Sequence, residues 1–389
     1  MREDIVLYFG VFGLMALSNA IVPVLPLIAA GPAVQGIIYS AYFLGALVST
    51  LPTGLLCDRF GETFFIRSGL LLTVLSGIFL LMASSSPFSL VIARVIEGIG
   101  AGLLVASALS WLNRQPDHQK MTGYFMALLN AGLVIGLIGG GGVASIVGVP
   151  DAGLMLFLIL TAIPFLASLL PGGAKGSVLR SGRNMRESPD RLSAAWNIRN
   201  EIGRVGGVFS RFFWLWFSAL VLIGCTGVLS ALYPELSGEP PHIAGLQIAA
   251  MSVSTIVTIL IVARVTLPPV RTLQVCAVLM AGSVLFTYYS PWGFVIAGAV
   301  AGVVMIAQLA YLAQQTGQQQ GLLMGLFNTA SYGGMTLLPF LAGLIAGSAF
   351  FAEPFMMAFL FTAVLAVLVA VTVGRCGCDH GIDPGTMQT

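Results

Sequence analysis

The chain reads as six membrane-length apolar runs, a polar stretch over residues 171–210, and six further apolar runs. Few architectures accommodate that order. Within the polar stretch Lys175, Arg180, Arg183, Arg186, Arg191, Arg199 and Arg204 outnumber Glu187, Asp190 and Glu201, a bias that predicts the cytoplasmic side of a membrane. With 57% of residues hydrophobic and 8% charged, against about 25% charged in soluble domains, the chain is predicted to be an integral membrane protein. Twelve helices of about 20 residues, each crossing a hydrocarbon core of about 30 Å, use about 240 residues. The remainder suffices for the central segment, short tails and tight turns, so no soluble catalytic domain fits, and no nucleic-acid surface is indicated.

The predicted spans are 5–29, 35–56, 64–83, 88–111, 122–148 and 153–170 in the first half, then 212–234, 243–263, 270–288, 292–313, 321–347 and 354–374. Alternating the connections across the membrane puts Arg59, Arg67, Arg114, Lys120, Arg211, Arg264, Arg271 and Arg375 on the side of Arg2, while the opposite turns carry Asp151, Glu235, Glu239 and Glu353 and no cation. Of the 17 Lys and Arg this leaves only Arg94 well inside a span, Arg67 and Arg271 lying within a few residues of a span start, and it predicts both termini to be cytoplasmic. The expected organisation is a six-helix bundle over 1–170, a basic cytoplasmic linker over 171–210, a second six-helix bundle over 211–374 and a cytoplasmic tail over 375–389. Residues 1–4 run straight into the first span without a basic leader or a cleavage pattern, which predicts a retained helix. In the linker Leu192, Trp196, Arg199, Ile202, Val205 and Phe209 recur every three to four residues. That period fits either a short amphipathic helix on the membrane surface or a flexible tether.

Cysteine usage excludes a disulfide framework. Cys57, Cys225 and Cys276 fall in or at the ends of spans, where a thiol packs as a small apolar group. Cys376, Cys378 and His380 in the tail lack a second ligand pair, so no metal and no cofactor is expected.

The halves show an internal echo. Gly123, Met126, Leu128 and Asn130 recur at the same spacing as Gly321, Met324, Leu326 and Asn328, near the starts of spans five and eleven. Repeats of this kind place a binding site at their interface near the bilayer midplane. Candidate cavity residues are Asn19, Asn130, Gln308, Tyr311, Asn328 and Tyr332, with Asn130 and Asn328 preferred; amides and phenols in spans also bond across helices. The scarcity of fixed charge among spans rich in Met and Phe suits an uncharged or lipophilic substrate, or a lipophilic cation.

Four stretches carry chemistry. Between spans two and three, Gly54, Asp58, Arg59 and Gly61 are predicted to make a tight turn that brings two helices together. In span four, Arg94 is a cation whose insertion costs about 2.5 to 3.5 kcal/mol, and Glu97, three residues on, can neutralise it. Span five carries Gly123, Gly132, Gly136, Gly140 and Gly141 among further glycines, which strip one helix face for close packing. Pro23 and Pro26 kink span one, freeing carbonyls that neighbours must satisfy.

These stretches resemble the major facilitator superfamily. Gly54, Leu56, Asp58, Arg59 and Gly61 match its G-x-L-x-D-R-x-G loop, although Glu62 and Thr63 stand where two cations are usual. Arg94, Gly98 and Gly100 are similar to its R-x-x-x-G-x-G motif, and the span-five glycines to the G-x8-G-x3-G-P-x2-G-G motif of its drug-efflux branch, with Leu137 in place of the proline. Pro23 and Pro26 match the P-x-x-P of twelve-span drug/proton antiporters. The resemblance implies an all-α fold of twelve transmembrane helices in two pseudo-symmetric six-helix bundles. It also implies alternating access, a gating role for the span-two loop and proton coupling at Arg94 and Glu97. The implied protein is a monomeric plasma-membrane transporter that exchanges a small molecule for protons across the lipid bilayer. A uniporter or symporter for a nutrient shares every feature except the span-five motif, and a transport-inactive receptor of the same fold is a further alternative. An integral-membrane enzyme is not expected, because no phosphate loop, H-E-x-x-H or haem-binding cysteine pair occurs and histidine is found only at 118, 242 and 380.

Overall fold

A computed structural model describes residues 2–82, 86–169, 207, 210, 212–265, 267–314 and 320–378. The periodic residues of the linker and the Cys376, Cys378 and His380 cluster lie outside the residues, or the side chains, that it describes. Among the described residues twelve helices are long and apolar enough to cross a membrane, and no group of metal-ligating side chains forms.

Span one is Arg2–Ala20, a 3-10 turn Val22–Val24 and a short helix Leu25–Ile28, so the chain changes helix type at Pro23 and Pro26. Spans two to six are Pro32–Phe60, Glu62–Met82, Pro87–Asn113, His118–Val147 and Ala152–Leu169. Spans seven to twelve are Phe213–Ser237, Pro241–Val262, Pro269–Tyr289, Trp292–Gln314, Gln320–Ala346 and Pro354–Cys378. Pro32, Pro87, Pro241, Pro269 and Pro354 open their helices, where the missing N–H would have been unsatisfied anyway. The tight turn expected over 54–61 is narrower than that. Gly54, Asp58 and Arg59 belong to the last two turns of span two, and the chain reverses at Gly61 alone, whose φ of 84° favours a residue without Cβ.

Within the first half, span one packs along spans five and six, span two along four, and span three along four and six; seven with eleven and twelve, eight with ten, and nine with ten and twelve repeat the pattern. Glycine sets these approaches. Gly98 faces the Tyr42 carbonyl and Gly102 faces Ser49 and Ala46; in the second half Gly298 faces the Met251 carbonyl and Gly302 faces Thr255 and Thr258. Likewise Gly132 and Gly136 lie on the Phe12 and Ala16 carbonyls, while Gly334 lies on that of Leu220 and Gly224 meets Leu338. Helices in a bilayer associate through such close backbone contacts rather than through a hydrophobic drive.

These contacts fix the register of the two halves. Asn130 corresponds to Tyr332, Asn328 to Met126, and Leu137 to Pro339. The sequence echo that pairs Asn130 with Asn328 is therefore one helical turn out of register, because a shift of four residues on a 3.6-residue helix leaves side chains on nearly the same face.

Candidate functional site

The ends of the seam between the halves differ. At the end opposite the linker, two crossings close it. In one, Gly36 of span two rests on the Pro339 carbonyl and Gly343 of span eleven, and Gly343 in turn rests on Pro32. In the other, Gly245 of span eight rests on the Leu137 carbonyl of span five, and Gly141 on that of Pro241. Polar contacts accompany them. The Gln35 amide donates to Glu235 at 2.7 Å, and His242 Nδ1 lies 3.0 Å from the Ser145 hydroxyl. The seam persists inward as far as Phe43 and Tyr332, whose ring centroids are 6.4 Å apart. Past that level, toward the linker end, a side chain added at Gly54, Gly123 or Gly325 would meet no atom among the described residues, and Tyr124 and Asn328 are exposed. The molecule is thus closed at the far end and open at the linker end.

Just above this opening, spans one, two and four converge on a charge pair. Arg94 Nη1 donates to Glu97 Oε2 at 2.5 Å and to the Ser18 carbonyl at 3.1 Å. The guanidinium lies over the Tyr42 ring, 4.7 Å from its centroid, a favourable placement for a cation. The two side chains are 2% and 0% exposed. Arg94 Nε and Glu97 Oε1 have no hydrogen-bond partner among the described residues, so the pair is neutral overall but retains an unused donor and an unused acceptor. At the corresponding positions of span ten stand Phe294, fully buried against the Tyr233 ring, and Ala297. The packing is symmetric and the charge is not.

The other sequence-predicted residues divide by burial. Asn19 and Asn130 are half-buried and donate to their own helices, at Met15 and Met126. Asn328 is exposed on the open side and Tyr332 is half-buried at the seam. Gln308 and Tyr311 are not brought to this opening. Gln308 is fully buried and donates to Ser218 at 3.0 Å, and Tyr311 packs edge-on against Trp214, so both belong to the contact between spans seven and ten. Among the span-five glycines, Gly132, Gly136 and Gly140 seat span one and Gly141 seats span eight, while Gly123 touches nothing described. Leu137 is buried in an unbroken helix. The corresponding proline of span eleven, Pro339, abuts Gly227, whereas at Leu137's crossing the ring against Gly245 comes from Pro23 of span one. Each crossing has a proline, contributed by a different helix. The side chains of Asp58 and Arg59 lie outside the described set.

Sequence reasoning missed three features. Tyr39, Tyr42 and Phe43 form an aromatic cluster, with Phe43 centroids 5.3 and 5.0 Å from those of Tyr39 and Tyr42, and its only signal was an aromatic triplet within one span. Glu62, 8% exposed, pairs with Arg114 at 2.7 Å, linking the start of span three to the end of span four; its signal was its departure from the usual cations. The Gln35–Glu235 contact had no signal beyond two polar residues near span ends.

The Staphylococcus aureus quinolone resistance protein NorA is 29% identical over 143 residues, which are 35% of this chain and 36% of that protein. That match spans about a third of the relative's length. Among solved structures, a mutant of the nucleoside transporter NupG superposes with a TM-score of 0.74 at 12% identity, covering 96% of this chain and 98% of the other. A bacterial homologue of the human lysosomal transporter Spinster, in an inward-facing and unoccupied conformation, gives 0.70 at 15% identity over 99% and 98%. At these identities the likeness is one of fold. The Major Facilitator Superfamily model matches residues 7–292, from span one to the start of span ten, and with the fold agreeing over nearly the whole length the chain belongs to that superfamily.

Proposed function

We propose that the chain is a proton-coupled exporter of a small organic or lipophilic compound, working by alternating access as a monomer in the plasma membrane with both termini cytoplasmic. The observation that carries the reading is the buried Arg94–Glu97 pair, present in one half of an otherwise repeated scaffold and joined to spans one and two through Ser18 and Tyr42. An ionisable pair inside a span is expensive and is retained where it has a task. Protonation of Glu97 removes the counter-ion of Arg94, which then keeps only the Ser18 carbonyl and the Tyr42 ring. A buried cation so short of partners favours repacking of spans one, two and four, of which span two meets span eleven across the seam. Charge distribution supports the orientation, since cations gather at the linker end, which makes the present conformation inward-open.

A lipophilic substrate is supported by the scarcity of charge within the spans and by the partial similarity to a relative named for quinolone resistance. The unbroken helix at Leu137 favours a second reading, a facilitator or symporter of the same fold. Reconstituted vesicles separate the two. Substrate-driven proton movement opposite to the exported compound, lost to background in Glu97→Gln, is the outcome expected for antiport. Normal coupled flux in that variant removes Glu97 from the mechanism, and solute equilibration without proton movement assigns the chain to facilitators.

A further inference from the structure

The far end is closed by two crossings whose packing is equivalent, and among the described residues only one of them carries a hydrogen bond to a carboxylate, partly buried. Gln35 in the second turn of span two is fully buried. Its amide nitrogen donates within the first half to the Ala29 carbonyl at 3.0 Å, and across the seam to Glu235 Oε2 of span seven at 2.7 Å. Its carbonyl oxygen has no partner among the described residues. By the contact register the corresponding residues are Ala244 in span eight and Leu27 in span one. Ala244 is buried and Leu27 is 58% exposed, so the second crossing closes without any such pair. Shape therefore does not require Gln35 and Glu235. What they add is a hydrogen bond to a carboxylate, roughly twice as strong as a neutral one. Against it stands a buried amide oxygen left unsatisfied in the closed state. A bond that favours closure and an orphan that opposes it belong to a contact that forms and breaks.

We infer that Gln35 and Glu235 are the latch of the far end: positioning residues that set the balance between the state open toward the linker and the state open away from it. This rests on the alternating-access reading but not on proton coupling or on the identity of the substrate. No substrate is needed to test it. Ser230 of span seven, 7% exposed and opposite the Tyr39 hydroxyl of span two, is a near-isosteric site for a reporter thiol. The probe is a membrane-impermeant maleimide applied from the far side to Ser230→Cys protein whose five native cysteines are replaced.

Gln35→Glu sets two carboxylates face to face and is expected to speed labelling by about tenfold or more, the scale of one charge-assisted bond lost. Adding Glu235→Gln restores a carboxylate facing an amide with the partners exchanged, and labelling should slow again relative to Gln35→Glu, stopping short of the parent rate because a carboxylate at 35 cannot donate to the Ala29 carbonyl; general loosening of the fold would show no such rescue. If the single Gln35→Glu protein does not accumulate, Glu235→Ala, which removes the acceptor without adding charge, is expected to speed labelling as well. Equal labelling in all variants overturns the latch alone. A thiol that stays unlabelled in every variant, yet reacts once the protein is denatured, overturns the latch and alternating access together.

Discussion

Arg94 is held by contacts of three kinds: a carboxylate on its own helix, a backbone carbonyl of span one and an aromatic face of span two. Removing the arginine leaves Glu97 buried and uncompensated, whereas removing both charges leaves only a cavity to refill. Arg94→Leu is therefore expected to destabilise the protein by about 3 to 5 kcal/mol, and Arg94→Leu/Glu97→Leu by distinctly less, as read from thermal unfolding in detergent. Lysine cannot span the same partners with a planar fork, so Arg94→Lys should fall between the two. Equal stability of the single and double variants would show that Glu97 does not need its arginine. The pair was legible in the sequence because a charge in an apolar run has no other context. Tyr42 was not, since a ring that covers a cation and a ring that fills a core leave the same letter in an apolar stretch.

At the scale of the helix, glycine positions that look alike in sequence behave oppositely in the fold. Gly136 and Gly142 both belong to the span-five cluster, but a Cβ at Gly136 would collide with the Ala16 backbone of span one, while at Gly142 it would meet nothing described. Gly136→Ala is expected to separate spans one and five and to cost stability and transport. Gly142→Ala should be neutral or should stabilise by about 0.5 to 1 kcal/mol, the helix preference of alanine over glycine. Unfolding temperatures of the two variants side by side check this, and a similar loss in both would mean that the cluster acts as a flexible segment and not as a packing face. Span ends were readable to within a few residues because Pro32, Pro241 and Pro354 open helices and Gly61, Gly148 and Gly238 close them with positive φ. Register was not. A repeat matched on Asn130 and Asn328 and one matched on Asn130 and Tyr332 expose the same helix face, and only the carbonyls against Gly132 and Gly334 decide between them.

Across the whole molecule, a repeated pattern of helix pairings and glycine crossings carries polar groups that are not repeated. Where the first half has Arg94 and Glu97 the repeat has Phe294 and Ala297, and the positions equivalent to Gln35 and Glu235 hold Ala244 and Leu27. Symmetric packing lets one rocking motion exchange two similar states, and groups in one half alone can then bias that exchange. Twelve spans and two halves follow from hydropathy and loop charge. Which end of the seam is shut does not, because under alternating access one sequence makes both states, and such states differ in free energy by only a few kcal/mol. If the far-end crossings have to part during transport, tying them together must stop it while leaving the linker end open. Ser145 and His242 meet across the second crossing and lie away from the charge pair. Ser145→Cys/His242→Cys, joined by oxidation or by a short bifunctional thiol reagent, is expected to lose substrate flux in vesicles and to regain it on reduction of the disulfide. In the joined protein a thiol at exposed Asn328 should still react from the linker side. Flux that survives complete cross-linking would mean that the far end does not open there, and the passage for substrate would have to be sought elsewhere in the fold.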